Sequence, residues 1–173
     1  MQDILERAAG IKLVIFDVDG VLTDGSLFLG DDGQEYKAFH SKDGLGMKML
    51  QSTGVEIGII TARSSQVVST RMESLGIRHV YQGKLKKITA FEDLKQKLML
   101  QNEQIAFVGD DVVDLPIMRQ VGLAVCVQDG HRLVKRHAHW ETPSPGGRGA
   151  AREVCELVME AQGTLQSTLE SYF

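Results

Sequence analysis

Apolar residues along this chain occur in short unbroken runs, separated by longer stretches where they recur at helical spacing. The clearest runs are Lys12 to Phe16, Glu56 to Ile60, Ile105 to Val108 and Leu123 to Val127, with a shorter one at His79 to Tyr81. Runs of this length suit strands buried on both faces of a parallel sheet. His139-Trp140-Glu141 reads as an edge strand. Between the runs the spacing predicts helices over Asp3 to Ala9, Asp43 to Ser52, a segment ending at Leu75, Lys86 to Leu100, Asp114 to Val121, Gly130 to Arg136 and Ala150 to Gln162. The second should bury Leu45, Met49 and Leu50. The third should start at an N-cap Ser64 and turn Val67, Val68, Met72 and Leu75 inward. Pro116 is tolerable because it falls in a first turn. The residues after Gln162 are polar and are expected to be mobile.

Strand and helix alternate throughout, which predicts an α/β fold with a doubly wound, Rossmann-like parallel sheet. No repeat or linker divides residues 1–173, so a single domain is expected. One segment departs from the alternation. Leu27-Phe28-Leu29, a turn of Asp and Gly over Gly30 to Gly33, and Glu35 to Phe39 read as a protruding hairpin. Its apolar residues have no evident core, which suggests a flap or a subunit contact.

Composition changes this picture little. The chain has 173 residues, 43% apolar and 24% charged, which is ordinary for a globular protein with a full core. Cys126 and Cys155 have no metal-type spacing and fit a reducing compartment. A net charge of −4 argues against nucleic acid as the main partner. No basic-then-apolar leader and no membrane-length apolar run is present, so a cytoplasmic protein without a membrane partner is expected.

The candidate chemistry lies where two of the strands end in acid. Asp17 and Asp19 follow the first run, and on a regular strand residues two apart point the same way. Like charges about 4 Å apart repel by roughly 4 kcal/mol at an effective dielectric near 20, so such a cluster calls for a cation. Gly20 lets the backbone turn or a ligand approach. Gly109-Asp110-Asp111-Val112-Val113-Asp114 ends another run. Thr61 and a lysine within 84–87 lie at further strand ends. All should meet at the carboxyl edge of the sheet, where ligands of open α/β folds bind. A phosphate ester needs this set. Carboxylates hold Mg2+, a hydroxyl and an ammonium bind phosphoryl oxygens, one carboxylate attacks phosphorus and another protonates the leaving alkoxide.

The stretch Asp17 to Gly25, together with Thr61, Lys87 and Gly109 to Asp114, resembles the four motifs of the haloacid dehalogenase superfamily in its phosphatase branch. Lys37 to Gly44, Ile60 to Arg63, Tyr81 to Gly83 and Gly146 to Glu153 narrow the resemblance to its capless members acting on eight-carbon sugar-acid phosphates in lipopolysaccharide precursor synthesis. The resemblance implies Asp17 as nucleophile, Asp19 as acid and then base, and Thr61 and Lys87 as phosphoryl holders. Lys87 is chosen because it falls four residues after Gly83. It implies Mg2+ on the Asp17 side chain, the Asp19 main-chain carbonyl and Asp110. It implies substrate contacts at Asp19, His40, Ser41, Lys42, Asp43, Gly44, Arg63, Arg71 and Lys87, and a homotetramer built through the hairpins.

Three readings stay open at this point. Arg148, in its Gly-rich loop, either closes over a substrate carboxylate or phosphate, in its own or a neighbouring subunit, or belongs to a plain connector. A nine-carbon sialic-type sugar phosphate is an alternative substrate. A phospho-receiver signalling module is an alternative of another class, although it would place its paired acids and its phosphorylated aspartate at different strands. His131, His137 and His139 lack a zinc pattern. Asp111 and Asp114 are expected to orient Asp110. Asp24 is expected to fix the loop, and Arg63 and Arg71 to face the same way from one helix.

Overall fold

The computed structural model describes all 173 residues. Six strands, β1 (Leu13–Phe16), β4 (Glu56–Ile60), β5 (His79–Tyr81), β6 (Ile105–Gly109), β7 (Leu123–Cys126) and β8 (Trp140–Glu141), form one sheet in the order β5-β4-β1-β6-β7-β8. Every pairing in it is parallel. The doubly wound parallel sheet expected from the alternating pattern is therefore what forms. Two further strands, β2 (Phe28–Leu29) and β3 (Glu35–Tyr36), make the hairpin.

Period-two side chains send each strand's residues to two different layers. Val14 and Phe16 of β1 enter one core, with Ala106 and Val108 of β6. Leu13 and Ile15 enter the other, with Ile105 and Phe107. The first layer is closed by α1 (Gln2–Ala9), α2 (Ser41–Ser52), α3 (Gln66–Ser74) and α7 (Ala150–Ala161). The second is closed by α4 (Lys87–Lys97), α5 (Leu115–Met118) and α6 (Arg132–His137). Burial on both faces explains why β1 carries no polar residue before Asp17. Consecutive strands step to one side of β1 and then to the other. The crevice at its carboxyl end is therefore the ligand position of such sheets.

Several elements differ from the pattern-based expectation. α2 starts at Ser41 and leaves Leu45 exposed, because its buried stripe runs through Asp43, Met47 and Leu50. Gly46 lies against α7, where a Cβ would stand 2.6 Å from Arg152 Cδ. Ser65, not Ser64, occupies the N-cap of α3, and its side chain makes no cap bond. α4 ends at Lys97, and Met99 turns the chain with φ +54. The helix expected over Asp114 to Val121 is a 3-10 turn at Val112–Asp114 followed by the short α5. Its capping acids are drawn back toward the sheet edge. The last residues form α8 (Leu165–Glu170) rather than a loose tail, since Leu165 and Leu169 pack on the first core. The hairpin forms with Leu27, Phe28, Leu29 and Tyr36 exposed. No helix is long and apolar enough to cross a membrane.

Candidate active site

β1 delivers Asp17 and Asp19 to the carboxyl edge, β6 delivers Asp110, and β4 delivers Thr61. Asp17, Asp110 and Asp114 offer carboxylate oxygens that all lie within 4.8 Å of one another. Lys87, in the first turn of α4, points back at the same spot. Its ammonium is 2.7 Å from both Asp17 Oδ2 and Asp114 Oδ1, with side-chain exposure of only 1%. The backbone N–H of Val18 donates to Asp17 Oδ1 at 2.7 Å. Thr61 is buried beside Asp17 at the neighbouring strand end.

The three acids are not equivalent. Asp114 is fully buried, and both of its oxygens are engaged. Oδ1 accepts from Lys87, and Oδ2 accepts from the backbone N–H groups of Asp110 and Asp111 at 3.0 and 3.3 Å. Asp114 therefore orients the Asp110 loop and the lysine, as expected for it. Asp111 is exposed and caps the 3-10 turn through Val112 N–H. The carboxylate of Asp110 accepts no hydrogen bond from the protein. Burial pushes it up to about 7, and Asp114 and Asp17 add to the rise. Burial likewise pushes Asp17 up to about 6, against the pull of Lys87. Burial alone would lower Lys87, yet Asp17 and Asp114 outweigh it and raise its pKa. One ammonium thus faces three carboxylates, with Asp17 and Asp110 left short of positive charge. That surplus, with oxygen-only donors, fits a hard divalent cation such as Mg2+ held between Asp17 and Asp110. Gly20 makes room for the arrangement. Its φ is +88, and a Cβ there would stand 2.1 Å from Asp110 Oδ2.

A second group of charges surrounds Asp19. Lys37, from the end of the hairpin, donates to Asp19 Oδ1 and also lies 3.3 Å from Glu35 Oε1. Arg63 Nη2 donates to the same Glu35 oxygen at 2.9 Å, and Arg63 Nε is 3.9 Å from Asp19 Oδ2. Burial would raise Glu35, but its bonds from Arg63 and Lys37 prevail and lower its pKa. In the sequence, Lys37 only opens the Lys37–Gly44 stretch and Glu35 only begins the second hairpin strand, and neither carries a site role there. The available signal was an acid and a base two apart on a strand, which places both on one face.

The remaining candidates lie outside the cluster of Asp17, Asp110, Asp114 and Lys87. His40 precedes α2, and Ser41 and Lys42 are exposed in its first turn. Asp43 is buried. Its Oδ1 accepts from Arg152 N–H at 2.9 Å, while its Oδ2 and His40 Nδ1 are buried without a partner. Burial raises the pKa of Asp43. Arg71 lies in α3, 5.8 Å from the ring centroid of Phe39, and its Nη2 would be 2.3 Å from a Cβ at Gly44. Arg63 precedes α3, so the two arginines do not share a helix as expected. A cavity of about 10 Å³ lies between Phe39, His40, Asp43, Gly44 and Arg71. Arg148 is largely exposed and ion-paired with Asp24 at 3.1 Å. Its loop is fastened to the Asp17–Gly25 turn through Gly147 N–H and Val21 O at 2.8 Å. His131 caps α6, and its N–H holds the Asp110 carbonyl at 2.7 Å. His139 accepts from Ala124 N–H, and His137 joins no cluster of metal-binding groups.

Residues 76–154 match the model of the haloacid dehalogenase-like hydrolases. The chain is 46% identical to the 3-deoxy-D-manno-octulosonate 8-phosphate phosphatase of Yersinia pestis over 95% of its own length and 88% of that protein's. It is 47% identical to the Escherichia coli K12 enzyme of the same name, over 94% and 87% of the two chains. The Moraxella catarrhalis phosphatase, solved with a magnesium ion, a phosphate ion and a KDO molecule, superposes with a TM-score of 0.98 at 39% identity, covering 100% of this chain and 99% of that one. The parallel sheet with an acid-lined carboxyl edge is thus that of a haloacid dehalogenase-like hydrolase. Within that class, the chain belongs to the 3-deoxy-D-manno-octulosonate 8-phosphate phosphatase family.

Proposed function

We propose that this protein is a Mg2+-dependent phosphatase that hydrolyses 3-deoxy-D-manno-octulosonate 8-phosphate to the free sugar acid and phosphate. The observation that carries the reading is the meeting of Asp17, Asp110, Asp114 and Lys87 within a few ångströms at the end of β1. Asp17 and Asp110, with the Asp19 main-chain carbonyl, would hold the metal. When bound, Mg2+ supplies charge neutralisation at the phosphoryl oxygens and alignment for in-line attack.

The chain's own groups account for the rest of the chemistry. A carboxylate oxygen of Asp17 forms a bond to phosphorus as the P–O bond to the sugar breaks. Asp19 gives its proton to the departing alkoxide. Asp19, now a carboxylate, takes a proton from water as the water oxygen bonds to phosphorus and the Asp17–phosphoryl bond breaks. Lys87 and Thr61 hold phosphoryl oxygens through both steps. Lys87 also keeps the nucleophile in place between steps, which its double ion pair supports. His40 to Gly44, Arg63, Arg71 and Arg148 would contact the sugar acid, Arg148 after giving up its ion pair with Asp24.

The site has only a hairpin above it, so neighbouring copies supply the cover in a homotetramer. Exposed Leu27, Phe28, Leu29 and Tyr36 give that contact its apolar face. The reaction belongs to lipopolysaccharide precursor synthesis in the cytoplasm.

The test is hydrolysis of the octulosonate ester with Mg2+, with EDTA and with Asp19→Asn. Turnover should require the metal. The variant should still bind Mg2+ while losing about 10²–10⁴-fold in kcat, the usual share of a general acid-base group. Stoichiometric phosphorylation without turnover would instead identify a receiver. Faster hydrolysis of a nine-carbon sugar phosphate would move the substrate assignment.

A further inference from the structure

The hairpin does more than extend from the body of the molecule. It ends by placing Lys37 on Asp19. Four side chains close a ring of alternating charge: Asp19, Lys37, Glu35 and Arg63. Asp19 comes from the turn after β1, Glu35 and Lys37 from one face of β3 and its extension, and Arg63 from the turn after β4. Lys37 is covered to 1% side-chain exposure, although its neighbours Tyr36 and Ala38 are exposed. A buried ammonium on an exposed hairpin is costly unless it is paired, and here it has two carboxylates.

The ring matters for Asp19 in particular. Asp17 is held at both oxygens and Asp114 at both oxygens. Asp19 receives a single hydrogen bond, and Lys37 gives it. Arg63, at 3.9 Å, attracts Asp19 without fixing its direction. Without Lys37, no hydrogen bond from the protein would fix the direction of this carboxyl group.

We propose that Lys37 is a positioning residue for the general acid. It aims Asp19 at the oxygen that leaves phosphorus, and Glu35 holds Lys37 in register. This rests on the phosphatase reading above and adds a role for the hairpin of the same subunit. In the step it serves, the Asp19 proton goes to the ester oxygen as the Asp17–phosphorus bond forms and the bond from phosphorus to that oxygen breaks.

Leaving-group dependence separates positioning of the acid from binding or general stability. A sugar alkoxide needs a proton to leave, whereas p-nitrophenolate does not. With Mg2+ present, Lys37→Met should lower kcat/KM for the octulosonate 8-phosphate by about tenfold or more, and that for p-nitrophenyl phosphate by less than about threefold. In an Asp19→Asn background the same change should cost almost nothing on either substrate, because a residue acting through Asp19 has nothing left to position. Lys37→Arg, which keeps a cation at this place, should retain most of the alkyl-ester activity and covers the case in which the Met variant fails to fold. Equal losses on both substrates by a folded Lys37→Met, a further loss in the Asp19→Asn background, or an Arg variant as impaired as Met would each overturn the assignment. The substrate reading is tested separately, by whether the unmodified protein hydrolyses the octulosonate ester at all.

Discussion

At the scale of single residues, the candidate site depends on one glycine as much as on its acids. Gly20 turns the chain in the left-handed region, and its missing side chain leaves the space that Asp110 fills. Gly20→Ala adds strain of order 1–3 kcal/mol at that φ, and its Cβ must displace the Asp110 carboxylate. Mg2+ affinity, read by titration calorimetry, should fall by roughly 10–100-fold, the range seen when a ligand's support is lost. Unchanged affinity would mean that Asp110 does not hold the metal. Much of this was legible along the chain, because unpartnered acids at the end of an apolar run signal themselves. Asp17, Asp110 and Asp114 meet as their positions predict. Lys37 and Glu35 were illegible for the opposite reason. In a hairpin without an evident core nothing in the sequence pairs them with a site group, and only the fold-back of that hairpin gives them partners. The placing of Arg63 and Arg71 on one helix failed because α3 starts after Arg63.

At the scale of elements, strands were more legible than helix ends. Buried strands announce themselves by unbroken apolar runs, and all five runs, with the edge strand at Trp140–Glu141, became strands of one sheet. Helix ends depend on local contacts that periodicity does not carry. The segment around Asp114 shows this: Asp114 bonds to the backbone of Asp110 and Asp111, a 3-10 turn runs over Val112–Asp114, and the helix that follows stops at Met118 rather than Val121. α8 is the converse case. Two leucines four apart, among polar residues, sufficed to dock the tail on the core. α4 offers a direct test of what ends a helix here. Met99 follows the Leu98 cap with φ +54, a position that favours glycine because a Cβ crowds the backbone there. Its side chain is 87% exposed, so replacement removes little packing. Met99→Gly should raise stability by roughly 0.5–1 kcal/mol, measured as a higher urea midpoint at unchanged slope. A lower midpoint would show that the Met99 side chain contributes more than its backbone strain costs.

At the scale of the whole molecule, the fold carries a local charge imbalance that its binding partner must correct. Asp17 rises from 3.8 to about 6 and Asp110 from 3.8 to about 7, both first through burial. An acid whose pKa is higher folded than unfolded binds more protons in the folded state between those two values. Stability without metal therefore falls as pH rises through the window from about 4 to about 7, because the slope follows protons bound unfolded minus protons bound folded. Below the window both carboxyls are neutral and the cluster is relaxed. Above it both are charged in a space with one ammonium, and the molecule depends on a cation to offset them. Mg2+ binds the deprotonated form, so its linkage to folding runs in the opposite sense. The rise in Tm between EDTA and excess Mg2+ should accordingly be larger near pH 8 than near pH 5. Thermal melts at the two pH values, each with and without metal, measure that difference directly. Equal metal-induced shifts would mean that the acids at the end of β1 and β6 are not what the ion binds. A larger shift at the higher pH would tie the stability of the sheet's carboxyl edge to the same ion that the chemistry requires.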